Sequence, residues 1–324
     1  MNKALFLFFF VTFFFFSCHQ KNQTQLRSAT GKINTISVII DDQLWNGEVG
    51  DSIRNKFASP VIGLPDEEPL FTINQYPAKL MEGFVTDSRI IIVVKKENKN
   101  EFSCLINQYA SPQKVFHISG KTTSEILKIL QEKAAQIIQS SKQTEITENQ
   151  RIINLSLVNT QSITKEFGII LNVPLGYSYA VQHEKFIWLK KEIPSGNTSI
   201  LIYQVPISTL KKETNPIESI IKMRDSIGKL YISGTEPDTQ MITEEGYSPY
   251  LFKVKLAGNE TYETKGTWEL KNEFMSGPFI NYAILDKQHN RILVLEGFCY
   301  SPSKEVRDLR HELESIIKSV IILK

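Results

Sequence analysis

Four acidic residues offer the first candidate chemistry. Asp41 and Asp42 follow an apolar, β-branched run at residues 36–40, and Glu67 and Glu68 stand in a proline-containing loop at residues 59–69. A short helix ending at Phe57 is expected between the two pairs. Brought into one cleft, two carboxylate pairs would suit acid and base roles in glycoside cleavage, where the working carboxyls stand within roughly 10 Å of each other. The same oxygens would suit a hard cation such as Ca²⁺. Trp45 nearby would supply a flat platform for a sugar. A plainer account uses the same residues: the aspartates end a strand, Trp45 packs, and the acids stay in water.

Other catalytic arrangements are missing from the sequence. His117, His183, His289 and His311 are scattered singly, so a histidine base has no visible partner. No Gly-x-Ser-x-Gly elbow is present, and His311-Glu312 is not followed by a second histidine at zincin spacing. Gly120-Lys121-Thr122 ends as a phosphate loop would, but Val115 occupies the place of the first glycine, so the segment reads as a turn and helix cap. Cys104 and Cys299 lie in apolar, strand-like runs, one in each half. They are expected to be buried, inert thiols, with a disulfide as the alternative. Without a histidine at ligand spacing they make no zinc site, and no cofactor or metal is called for. The stretches 45–50 and 272–278 mix aromatic bulk with glycine and would suit a partner surface.

The elements that must hold these residues divide the chain in two. A first half at residues 34–143 alternates short strands with helices. Residues 89–95 are expected to form a buried strand around an Ile-Ile-Ile-Val-Val core, with residues 101–108 expected to pair with it across a turn. The clearest helix is at residues 122–141, with Thr122 or Thr123 as its cap and Ile126, Leu127, Leu130, Ala134, Ile137 and Ile138 on one face. A weaker helix at residues 147–157 falls in a linker at residues 144–166. The second half, residues 167–324, is richer in strands. It opens with a strand at residues 167–173, holds a helix at residues 216–231 and a hairpin turn at residues 286–290, and closes on a helix capped by Ser303. The expected fold class is therefore α+β, as two α/β-sandwich-like domains with mainly antiparallel sheets packed by helices. Asp51-Ser52-Ile53 and Asp225-Ser226-Ile227, each at a helix, raise the idea of a duplicated unit. With 37 Lys and Arg against 35 Asp and Glu, the chain has no basic field for nucleic acid.

The N-terminus reads as an address. Lys3 precedes thirteen residues, 4–16, of which only Thr12 is polar and eight are phenylalanine. That suits a signal-peptide core and falls short of the roughly 20 residues that cross a bilayer. Ser17-Cys18 and the polar residues 19–25 follow, an arrangement that resembles a bacterial lipobox, with Phe15 and Phe16 where Leu and a small residue are usual. The resemblance implies a signal peptide at residues 1–17, lipidation of Cys18 and a flexible tether at residues 18–33. No acidic residue follows the cysteine to mark retention or surface export. The expected place is the outer membrane, lipid-anchored and facing the periplasm.

Several segments in order carry a wider resemblance: Asp41-Asp42-Gln43-Leu44-Trp45 with Gly47-Glu48-Val49-Gly50, Gly63-Leu64-Pro65, Gly266-Thr267-Trp268-Glu269, Gly277-Pro278-Phe279-Ile280-Asn281-Tyr282 and Leu295-Glu296-Gly297-Phe298. After such a leader they resemble a Bacteroidota lipoprotein family known as domain of unknown function 4837. The resemblance implies an envelope lipoprotein and brings no catalytic residues. Val173-Pro174-Leu175-Gly176-Tyr177 before an antiparallel sheet is also similar in layout to PsbP-like domains, which mostly bind and support larger assemblies. The expectation is a non-catalytic envelope module that binds a protein or glycan partner. The alternative is a glycan hydrolase or Ca²⁺-binding module using Asp41, Asp42, Glu67 and Glu68.

Overall fold

A computed structural model describes residues 26–210 and 215–323. In the first half the strands are β1 (Thr35–Ile40), β2 (Thr72–Tyr76), β3 (Ile90–Lys96), β4 (Glu101–Ile106) and β5 (Lys114–Gly120). The helices are α1 (Asp42–Trp45), α2 (Glu48–Phe57) and α3 (Thr123–Ile153). The sheet runs β2-β1-β3-β5-β4. Its first three ladders are parallel, and only β4 runs against its neighbour β5. The parallel order follows from composition, since β1 and β3 are near-continuous Ile and Val, the pattern of strands buried on both faces. α2 and α3 cover one face, burying Ile53, Phe57, Ile126, Leu130 and Ile137 against Val38, Ile92 and Phe116. A smaller cluster around Ile39, Ile91 and Val115 lies under Tyr76, Met81 and Tyr109 on the other.

The second half contains α4 (Gln161–Phe167), β6 (Ser178–His183), β7 (Phe186–Ile193), β8 (Gly196–Pro206), α5 (Pro216–Tyr231), β9 (Gln240–Thr243), β10 (Tyr250–Leu256), β11 (Asn259–Lys271), β12 (Ser276–Asp286), β13 (Arg291–Tyr300) and α6 (Arg307–Ile317). These strands make one antiparallel sheet, β9-β11-β12-β13-β8-β7-β6, with β10 beside β9 along the same edge of the long β11. One face buries α4 and α6 through Phe167, Leu313, Ile316 and Ile317. The other buries α5 through Ile220 and Met223. The β12–β13 hairpin closes at the expected place, where Asp286 accepts from Arg291 Nε at 2.9 Å and engages His289 Nδ1 at 2.8 Å. Taken over the described residues the fold is α+β with mostly antiparallel pairing.

Several local expectations give way. β4 does not form a hairpin with β3, because β5 lies between them. The expected helices at residues 122–141 and 147–157 are one helix, α3, uninterrupted by glycine or proline and opened by a full capping box between Thr122 and Glu125. The apolar period fades at residues 141–149 because, Ile146 apart, the buried side chains there are polar, namely Ser141, Thr144, Glu145, Glu148 and Asn149. They face the junction of the halves: Arg89 grips Glu145 through two bonds of 3.1 Å, and Asn149 Nδ2 donates to Ser315 Oγ at 3.1 Å. Residues 167–173 hold only a two-residue ladder, Ile169–Ile170 against Ile321–Ile322. The parallel and antiparallel sheets also rule out a duplicated unit. Cys299 is buried as expected, but Cys104 is exposed on the edge strand β4; both are free thiols.

At about 1.5 Å per residue, the 31 residues of α3 run about 46 Å, twice the roughly 23 Å of a seven-residue strand. Its C-terminal turns therefore pass beyond the first sheet and pack on α6. The loop at residues 59–69 reaches the same helix from the first half, so α6 is held from two sides.

Candidate functional site

The strand register separates the two acidic pairs. Thr72 of β2 lies beside Thr35 at the start of β1, and Thr72 N–H donates to the Asn34 carbonyl at 2.8 Å. Glu67 and Glu68 precede that point, whereas Asp41 and Asp42 follow the other end of β1. Six residues at about 3.3 Å each put roughly 20 Å between the pairs, twice what paired glycosidase carboxyls use. Asp41, Asp42 and Glu67 are exposed. Among the described residues no group of three or more His, Cys, Asp or Glu is placed to hold a metal ion. The Arg54 guanidinium lies 4.4 Å from the centre of the Trp45 ring and covers it, so it is no open sugar platform. The acidic-cluster site for glycan or Ca²⁺ is thereby overturned.

Glu68 has a different role. Its side chain is buried, with the residue 6 % exposed, and accepts from the backbone N–H groups of Val306 at 2.7 Å and Arg307 at 2.9 Å. It caps the N-terminus of α6 from more than two hundred residues away, which is why Ser303 is not needed there. A carboxylate at that end also opposes the positive pole of the helix. Glu67 stays in water beside the fully exposed Phe274, which stands in one of the stretches expected to meet a partner. Cys18 lies outside the described residues.

The side chains that do converge lie between the halves. The 59–69 loop, the junction segment of α3, β10, β11 and α6 enclose a cleft of about 450 Å³. Its charged lining is Lys142, Glu263, Lys265, Arg310, Glu314 and Lys318, and its apolar lining includes Ile62, Ile146 and Phe252. Each element places its residues by simple periodicity. Glu263 and Lys265 are two apart on β11 and share a face. Arg310, Glu314 and Lys318 are four apart and rise along one stripe of α6 and its end.

The acids are already engaged. Lys265 Nζ lies 2.6 Å from Glu263, and Lys318 Nζ 2.5 Å from Glu314. Tyr282 Oη donates towards both acids, at 3.0 Å to Glu263 and 3.3 Å to Glu314. Burial alone would raise the Glu314 carboxyl, but Lys318 and Lys265 hold it well below the usual range. Burial and the two carboxylates push the Tyr282 phenol well above its usual value, so it stays a donor.

Among the described residues, Arg310 and Lys142 have only neutral acceptors. Arg310 is 6 % exposed, and its Nη1 donates to the carbonyls of Ile62 at 2.7 Å and Gly63 at 3.1 Å. Lys142 Nζ donates to Asn34 Oδ1 at 2.9 Å and the Leu70 carbonyl at 3.3 Å, and lies 4.8 Å from the centre of the Phe71 ring. Neither forms a salt bridge with a carboxylate among the described residues. Burial lowers both, Lys142 to about 8. The carbonyl contacts to Arg310 depend on Gly63, whose φ of +74° suits glycine and whose Cβ would stand 3.0 Å from the Lys265 carbonyl carbon. Next to Arg310, His311 is 4 % exposed with no partner for Nε2 among the described residues, and burial beside Lys142 drops its imidazole to about 4.

Sequence reasoning missed this cleft, although α6 carried a signal. Arg307, Arg310, His311 and Glu314 recur at helical spacing beside the apolar face of Leu313, Ile316 and Ile317. A helix with a charged stripe and an apolar stripe, both buried, has a second partner besides its sheet.

Comparison with known proteins places families on both halves. Residues 156–319 match the family model described as Domain of unknown function (DUF4837), and residues 29–154 match Domain of unknown function (DUF8532). No curated protein matches the chain. Among solved structures, LpqN of Mycobacterium tuberculosis, described as involved in cell envelope biogenesis, aligns over 48 % of this chain and 83 % of its own. The identity is 11 % and the TM-score 0.29.

Proposed function

The chain belongs to the family of the domain of unknown function DUF4837, whose model spans just over half of it, and from that premise we propose a non-catalytic binding module of the cell envelope. In this reading lipid at Cys18 holds it to the outer membrane, facing the periplasm, and a small ligand enters the cleft between the halves. The observation that supports it is the cleft itself: about 450 Å³, lined from both halves, with buried polar groups converging beside Ile146 and Phe252. Ligand sites favour such concave junctions with a few fixed polar groups.

The test starts from protein released by mild detergent from the membranes of cells that make it. Native mass spectrometry is expected to show a small-molecule mass that is lost on denaturation and absent from Gln143→Trp, a change at an exposed residue on the cleft lining. Unliganded mass alone, or the same adduct on the variant, would overturn the reading. Palmitate labelling abolished by Cys18→Ser supports the anchor; labelling that survives removes it.

A further inference from the structure

The cleft holds more positive than negative charge, and the excess lies on Arg310, which is buried, and Lys142, which is partly buried. Lys142, Lys265, Arg310 and Lys318 face Glu263 and Glu314, and those two acids are taken up by Lys265, Lys318 and the Tyr282 hydroxyl. Arg310 and Lys142 are left with carbonyl and amide oxygens as their acceptors. A desolvated cation ordinarily has a carboxylate partner, because neutral dipoles offset only part of the lost hydration. Here two such cations stand on the same cleft, supplied by different halves of the chain.

Resting on the cleft as the ligand site, we infer that its ligand presents an oxyanion, a phosphate or carboxylate group, to Arg310 and Lys142. The geometry suits that group. Both described bonds of Arg310 use Nη1, and its Nε and Nη2 edge has no acceptor among the described residues. A guanidinium edge matches two oxygens of a phosphate or carboxylate, and an ammonium adds a point charge from the side. Ile62, Ile146 and Phe252 lie beside the cations, so an apolar portion attached to the anion has a wall to rest on.

Two sources fit this chemistry, a free anion and the acidic head of an amphiphile. The experiment measures thermal unfolding of the full mature chain carrying Cys18→Ser, at constant ionic strength with sodium chloride as reference. Inorganic phosphate, acetate and a short-chain phosphatidic acid below its micelle concentration are the three probes. At least one is expected to raise the unfolding temperature by several degrees at saturating concentration. A response to phosphate or acetate assigns a free anion, and a response to phosphatidic acid alone assigns a lipid head. Lys142→Met is expected to weaken the apparent affinity at least tenfold, with Arg310→Lys as a second variant that keeps a charge but loses the fork. Lys287→Met, at an exposed surface pair with Glu260, should respond as the unaltered chain does. No response to any probe, or an equal response in Lys142→Met, overturns the inference. A native-mass adduct that persists alongside such a failure leaves the cleft as a site for a ligand of other chemistry. Loss of the adduct as well removes the site.

Discussion

Lys142 of α3 and Arg310 of α6 reach one cleft from opposite halves of the chain, and each spends its described hydrogen bonds on neutral oxygens. Their positions rest on contacts between distant segments. Glu68 caps α6, Arg310 is fixed by the Ile62 and Gly63 carbonyls, and the long α3 carries Lys142 past the edge of its own sheet.

Glu68 is expected to act as a structural bridge. Glu68→Ala removes two backbone partners from the start of α6 and should cost about 1–3 kcal/mol in urea unfolding. Asp41→Asn and Asp42→Asn, at exposed positions, should stay within about 0.5 kcal/mol. Equal effects at Glu68 and Asp41 would mean that the bridge does not hold the halves.

A fully buried ion pair lies under α5, away from the cleft. Arg224 and Glu296 are 2 % and 0 % exposed, with Nε donating to Oε1 at 2.8 Å, and Asn281 and Thr243 complete the network. The Arg224 guanidinium also lies over the Phe279 ring at 3.8 Å. Glu296→Leu leaves that cation buried without its acid and should cost about 3–5 kcal/mol, whereas the double variant Arg224→Met/Glu296→Leu should recover most of the loss. Chemical denaturation of the three proteins checks this, and additive costs would contradict it.

His311 sets an acid limit. It faces Lys142, Glu314 and Asp308, and its folded value of about 4 lies below the ordinary 6.5. Between those two values the unfolded chain binds the extra proton, so stability should fall as pH drops from 6.5 towards 4. The site's share is on the order of 3 kcal/mol. His311→Gln should flatten that part of a pH–stability profile; an unchanged slope would place the titration elsewhere.

What the sequence disclosed and what it hid divide along the range of the interactions. The Thr122 cap, the α5 helix and the Asp286 hairpin depend on residues three to five apart, and they were legible. The continuity of α3 was hidden because Ser141, Thr144 and Glu145 interrupt the apolar period while remaining buried against the junction. The parallel order of the first sheet was hidden because continuous Ile and Val runs specify burial on both faces and not direction. Glu68 looked like one of a row of solvated acids, since its partners are 238 and 239 residues away. Arg310 and Lys142 carried no local sign of convergence, and only the packing of α3 on α6 unites them.

The most direct measurement is the titration of Lys142 itself, followed by NMR of isotope-labelled lysine side chains in the presence and absence of inorganic phosphate or the probe that stabilises the chain. Lys142 faces Glu314, Arg310, Arg307 and Asp308, and without an anion it is expected to titrate near 8. A folded value below the ordinary 10.5 means that the unfolded chain binds the extra proton from about pH 8 to 10.5, so the free protein should gain stability as pH rises through that window. A bound oxyanion favours the charged ammonium and should carry the titration back upwards. Titration near 10.5 under both conditions, or a midpoint that the anion leaves in place, would contradict the account.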